Sequence, residues 1–145
     1  MKAVLAAALA LTASASAALA AQIEVERFAA VKIVSGQGVA AVVSNVLPTG
    51  TAVQPCFVSI AFFAGDSSRI GPTSRTVSLS PGHSASVPAP SPPPGLVRAL
   101  VGVGNPGDCA VRTQVEVYDT ATHAVRLIMP SNDCLGNHAC ATPIP

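Results

Sequence analysis

Ala110-Val111-Arg112-Thr113-Gln114-Val115-Glu116-Val117-Tyr118 alternates without a break. Val111, Thr113, Val115 and Val117 fall on one side, and Arg112, Gln114, Glu116 and Tyr118 on the other. A period of two with β-branched residues on one side is the signature of a strand that buries one face. Working outward, Leu96–Val103 repeats the pattern, with Val97, Ala99, Val101 and Val103 inward and Arg98 outward. Cys56–Phe63 sets Cys56, Val58, Ile60 and Phe62 in one row, and leaves Phe57 and Phe63 on a face less polar than solvent demands. Ile23–Val34, Val39–Val46, Arg75–Leu79, His83–Val87 and Ala124–Met129 complete a series of short apolar runs. Turn clusters such as Ser35-Gly36-Gln37-Gly38, Gly65-Asp66 and Ser80-Pro81-Gly82 separate them. Strands at this spacing, with no helical period over ten residues of the body, predict a seven- to eight-stranded antiparallel sandwich.

Composition sharpens the reading. The chain has 145 residues, and charged residues are 10% of them against about 25% in an average soluble domain. That length suits one domain. Without a basic excess there is nothing to neutralise a phosphate backbone, so nucleic acid is excluded as a partner. Half the residues are apolar, which excludes a charged disordered chain.

Residues 1–20 read as an address. Met1-Lys2 is a short positive start, Ala3 to Leu11 an apolar run, and Ala18-Leu19-Ala20 a small-residue cleavage site. The apolar run is too short for the ~20 residues of a spanning helix, and no Cys near the cut invites a lipid. The expectation is a signal peptide at 1–20, a sandwich domain at 21–130, a disulfide-looped tail at 131–145, and a secreted or periplasmic protein with no membrane span. Removing residues 1–20 takes away Lys2 and leaves seven Lys+Arg against seven Asp+Glu.

Export and an even number of cysteines imply disulfides. Four cysteines allow three pairings. Parity favours Cys56–Cys109, because Cys56 shares the inward row of Val58 and Ile60 while Cys109 is in register with Val111 and Val115. Locality favours Cys134–Cys140, a short loop turned by Gly136 and Asn137. In the chain-entropy view the first contributes ~4 kcal/mol and the second ~2 kcal/mol, but the crossed pairings also close long loops, so the choice is geometric. Asp133, Cys134, His138 and Cys140 also offer a metal reading, although Cys-x3-His-x-Cys fits no standard zinc module and an oxidised tail removes the thiolates.

Catalytic constellations are missing from the pattern. There is no Gly-x-Ser-x-Gly, and His83 and Ser84, being neighbours on a strand, point apart. His83 and His123 read as turn residues, Asp119 as a side-chain turn cap, and Glu24 and Glu26 as a solvated edge. Pro88-Ala89-Pro90-Ser91-Pro92-Pro93-Pro94-Gly95 is extended polyproline II, expected to connect two strands and to lie over Phe57 and Phe63. No cofactor is implied. If the strands of Arg98 and Arg112 pair, then Arg98, Arg112, Glu116 and Tyr118 make an outward patch that could bind a ligand, although a polar face of this size is also what any sandwich turns to water.

Val77-Ser78-Leu79-Ser80-Pro81-Gly82-His83-Ser84-Ala85-Ser86-Val87 resembles a hairpin of bacterial extracellular immunoglobulin-like domains, and Val115 to Thr122 is similar to their terminal strand and turn. The likeness spans Val39 to Met129, with His123 near the place of the usual turn glycine. It implies an immunoglobulin-like sandwich acting as an adhesive, spacer or accessory module, with no catalytic residue to carry over. The expected role is therefore non-catalytic, binding or structural, in the cell envelope, toward an envelope protein or surface polymer. Assembly by strand addition, with Ile23–Val34 as a mobile N-terminal strand, or metal binding by the Cys/His tail, are the alternatives.

Overall fold

The computed structural model describes residues 23–104, 109–131 and 134–136. Residues 1–20, expected to be a signal peptide, and Asp133, His138 and Cys140 of the tail lie outside the described residues. Among the described residues nine strands follow in order, against the seven to eight expected, because Ile23–Val34 divides in two: β1 (Ile23–Arg27), β2 (Val31–Ile33), β3 (Gln37–Asn45), β4 (Cys56–Ala64), β5 (Arg69–Leu79), β6 (Ser84–Pro88), β7 (Gly95–Gly104), β8 (Val111–Asp119) and β9 (Val125–Pro130). They form two antiparallel sheets. Sheet A has the order β1-β7-β4-β5, with β2 also on β7, and sheet B has the order β6-β3-β8-β9. The chain is an all-β sandwich.

The alternation read from the sequence sorts side chains as expected. Val97, Ala99, Val101 and Val103 are buried, as are Cys56, Val58, Ile60 and Phe62 from β4, and Val111, Thr113, Val115 and Val117 from β8. Valine dominates the interior, so facing strands fill the space between sheets with short β-branched groups, each contributing about 1.5–3 kcal/mol on burial. β5 is longer than the run Arg75–Leu79. Gly71 and Pro72 resemble breakers, yet the strand starts at Arg69 and absorbs them through an irregularity in its pairing with β4 between Ile60 and Phe62.

Two expectations need correction. The proline segment does not lie over Phe57, which is 47% exposed. It turns toward β5 instead: Ala89 is buried and donates its N–H to the Val39 carbonyl at 2.8 Å, and Pro90 packs so closely on Gly71 that a Cβ there would meet its ring at 2.5 Å. Nor is Ile23–Val34 a loose arm. Both of its strands are bonded to β7, and Phe28, Val31 and Ile33 enter the core.

One end of the sandwich is tied by a polar knot. Cys56 opens β4 in sheet A and Cys109 precedes β8 in sheet B; their disulfide joins the sheets with Cα atoms 5.6 Å apart and both side chains fully buried. Asn45, at the end of β3 and 1% exposed, sends its Nδ2 to Cys56 Sγ at 3.2 Å and to the Leu79 carbonyl at 3.1 Å, and its Oδ1 accepts from Leu47 N–H at 3.3 Å. The tail closes the same end. Leu135 bridges Val111 in both directions, and Gly136, at φ +112°, lies so near Cys109 that a Cβ would sit 2.1 Å from its carbonyl oxygen. Cys134 is itself disulfide-bonded, while the expected partner, Cys140, lies outside the described residues.

The Cys56–Cys109 bridge closes a separation of 53 residues. Replacing both cysteines with alanine is expected to lower stability by about 4 kcal/mol, read as a shift in the urea unfolding midpoint. Reduction of the wild type, which also opens the bridge of Cys134, is expected to lower it at least as far, and an unchanged midpoint in the double variant contradicts the prediction.

Candidate functional site

Arg112, Glu116 and Tyr118 stand on the outer face of β8, half-buried. Arg98 does not join them. It belongs to β7, and β7 and β8 lie in different sheets, so the core separates the two halves of the expected patch. The reason is topological: consecutive strands need not pair, and here the connection carries the chain across the sandwich.

On sheet B, Tyr118 lies over Gly38, its cross-strand partner, so closely that a Cβ on Gly38 would fall 2.6 Å from the ring. Glycine is what lets the ring lie down. The Tyr118 and His123 rings are stacked, with centroids 6.4 Å apart and planes 21° apart. His123 itself adopts φ +57°, the left-handed geometry its turn demands where glycine is more usual. Glu116 accepts from Gln114 Nε2 at 2.6 Å. A hollow of ≈ 320 Å³ opens between Tyr118, His123, Glu116, Ala40, Ser86 and Pro88. Its phenol, imidazole and carboxylate rim a floor of small residues, an arrangement suited to holding a polar ligand by hydrogen bonds.

The turn beneath it is set by Asp119. Its Oδ1 accepts from the N–H groups of Ala121 and Thr122, both at 2.9 Å, and Arg126 stands 3.7 Å from its other oxygen. The Thr122 and Ala121 N–H bonds hold the Asp119 carboxyl below the usual carboxylate range, and Arg126 adds to this. The expected Asx cap is present. His83 is exposed in its turn, with Nδ1 3.1 Å from the Pro81 carbonyl.

Glu24 and Glu26 depart from the solvated edge. Both are paired with inward-facing β7 residues, Val103 and Val101, so their carboxylates point toward the inner side at the sandwich's edge. Thr113 Oγ1 donates to Glu26, and Gly136 N–H donates to Glu24 at 2.6 Å. A cleft of ≈ 390 Å³ lies there, beside Cys134 and Leu135. Inward-facing charge on an edge strand also discourages pairing with a further strand. Among the described residues no group of three or more His, Cys, Asp or Glu is placed to hold a metal ion, and no helix is long and apolar enough to cross a membrane.

Sequence reasoning missed Asn45, a lone polar residue closing an apolar run. It also missed Arg69 as a strand residue, because Gly71-Pro72 hid the start of β5. Only the register reveals that Arg69, Phe63 and Arg98 stand in one row on sheet A.

No protein-family signature matches the chain, and no curated protein matches it. A solved structure described as "Crystal Structure of Thermotoga maritima 1070" is similar in shape, with a TM-score of 0.49 and 14% identity, covering 81% of this chain and 96% of that one.

A carboxyl whose folded-state pKa is lowered adds stability above its unfolded value and loses it as pH falls through the folded value. Urea midpoints are therefore expected to drop as pH falls below about 4, where unfolded aspartate titrates. Asp119→Asn is expected to flatten that acid limb while leaving the neutral-pH fold intact. An acid limb identical to wild type removes Asp119 from the account.

Proposed function

We propose that this chain is an exported, non-catalytic β-sandwich that serves the cell envelope by binding, built as an immunoglobulin-like module. The observation that carries the reading is the buried Cys56–Cys109 disulfide joining the two sheets. A bridge in the core points to an oxidising, non-cytoplasmic compartment, and it agrees with the signal-peptide pattern of residues 1–20. The hollow beside Tyr118 supports a binding role. The pairings β3–β6, β4–β5 and β4–β7 support the immunoglobulin-like reading, since they match the B–E, C–C′ and C–F neighbours of that fold. The departure is that β8 pairs with β3, and β1 and β2 with β7, so the outer strands exchange sheets.

Expression of the full sequence in a bacterial host is expected to give a periplasmic or extracellular product beginning at Ala21. Mass spectrometry and thiol titration are expected to show no free cysteine. A cytoplasmic, reduced and stably folded protein refutes the reading.

A second reading, assembly by strand addition, has its support at β9. That edge strand leaves Val125, Leu127 and Ile128 about half exposed, whereas β1 is guarded by its inward glutamates and β6 runs into the proline segment. Sedimentation velocity is expected to show concentration-dependent association, weakened by Ile128→Lys. A strict monomer at every concentration ends this reading.

A further inference from the structure

Without residues 1–20 the chain carries seven cations and seven anions, a balance that hides a segregation. Arg27, Lys32 and Arg98 lie opposite the outward positions Leu100, Leu96 and Phe63, and Arg69 lies opposite Phe63 from the other side. Arg98 and Arg69 therefore flank Phe63 from both neighbouring strands, with the Arg69 guanidinium 5.6 Å from the ring centroid. Arg27 stands one diagonal step from Arg98 across the β1–β7 pair, a separation of about 7–8 Å. Arg27, Arg98, Phe63, Leu100 and Ser67 line a hollow of ≈ 190 Å³.

Among the described residues, the nearby acids Glu24, Glu26 and Asp66 make their hydrogen bonds elsewhere. Glu24 and Glu26 turn to the inner side, onto Gly136 and Thr113. Asp66 Oδ1 accepts from Ser68 N–H at 2.9 Å and from Ser68 Oγ at 2.6 Å, which orients its carboxylate toward its own turn. Among the described residues, no ion pair reaches Arg27, Arg69 or Arg98. Guanidinium groups left without carboxylates around a half-apolar floor raise the local potential. Their planar forks match carboxylate and phosphate oxygens two at a time.

We propose that this hollow binds an acidic sugar unit of a surface polysaccharide. Arg27 and Arg98 hold its carboxylate or phosphate, and its ring lies on Phe63 and Leu100. This rests on the reading of the chain as an exported binding module and names the ligand class of that module. A polysaccharide is favoured over an anionic membrane because the cations converge on a hollow. Of the exposed apolar side chains on the same face, Leu96 and Val25 border the hollow, two residues along their strands from Arg98 and Arg27, and Phe57 stands apart opposite Gly104, about 20 Å along β7 from Arg98.

The test is affinity electrophoresis of the mature, oxidised protein through gels containing polygalacturonate, a phosphomannan or neutral dextran. Sedimentation with phosphatidylglycerol–phosphatidylcholine vesicles runs alongside. Retardation by at least one acidic polymer and not by dextran is expected, falling as salt rises. The pair Arg27→Gln and Arg98→Gln is expected to weaken it roughly tenfold or more. Arg98→Lys, which keeps the charge and loses the fork, is expected to fall between. Arg75→Gln with Arg126→Gln removes the same charge elsewhere and is expected to leave the affinity unchanged. Thermal unfolding of each variant establishes that it is folded. Equal loss in both double variants, retardation by neither acidic polymer, or binding to vesicles alone overturns the proposal. Export and thiol state are measured independently, so a failed hollow is distinguishable from a protein that is not exported at all.

Discussion

The structure depends on one covalent and polar junction between its layers. Cys56 and Cys109 come from different sheets, and Asn45 from a third strand donates to the sulfur of Cys56 and to the end of β5. A valine-rich interior fixes the separation of two sheets well but specifies their relative sliding poorly, because valines of similar size interchange neighbours at little cost. A buried amide with defined partners does not tolerate sliding, since each lost bond leaves a polar group stranded in an apolar setting. The junction thus sets the register of one sheet on the other, and the Leu135–Val111 bridge and Gly136 continue it toward the tail.

With that register set, the outer faces acquire different characters. Sheet B presents small residues and a rim of Tyr118, His123 and Glu116, with its charges of both signs interspersed. Sheet A presents arginines around Phe63, while the two glutamates of β1 are turned the other way by strand parity. A net charge near zero therefore does not mean a featureless potential. Over distances comparable with the Debye length, about 8 Å at physiological salt, each face acts through its own charges.

Much of the fold was legible because a half-buried strand writes its burial into the chain at every second residue. The inner rows of β4, β7 and β8, the turn role of Asp119 and the turn position of His123 were all readable locally. Parity even selected Cys56 and Cys109, because both had to project inward from strand ends. The expected patch failed at Arg98 for the opposite reason. Alternation says which side of its own sheet a residue faces, but not which sheet it belongs to.

The sequence by itself determined most of the strands, the buried faces of β4, β7 and β8, and the inter-sheet pairing of Cys56 with Cys109, because these follow from a period of two and from local turn chemistry. Only the tertiary structure decided that β7 and β8 part to opposite sheets, that Glu24 and Glu26 face inward, and that Arg27, Arg69 and Arg98 gather around Phe63. Those outcomes depend on contacts between residues far apart in the chain, and no local pattern encodes which distant strand becomes a neighbour.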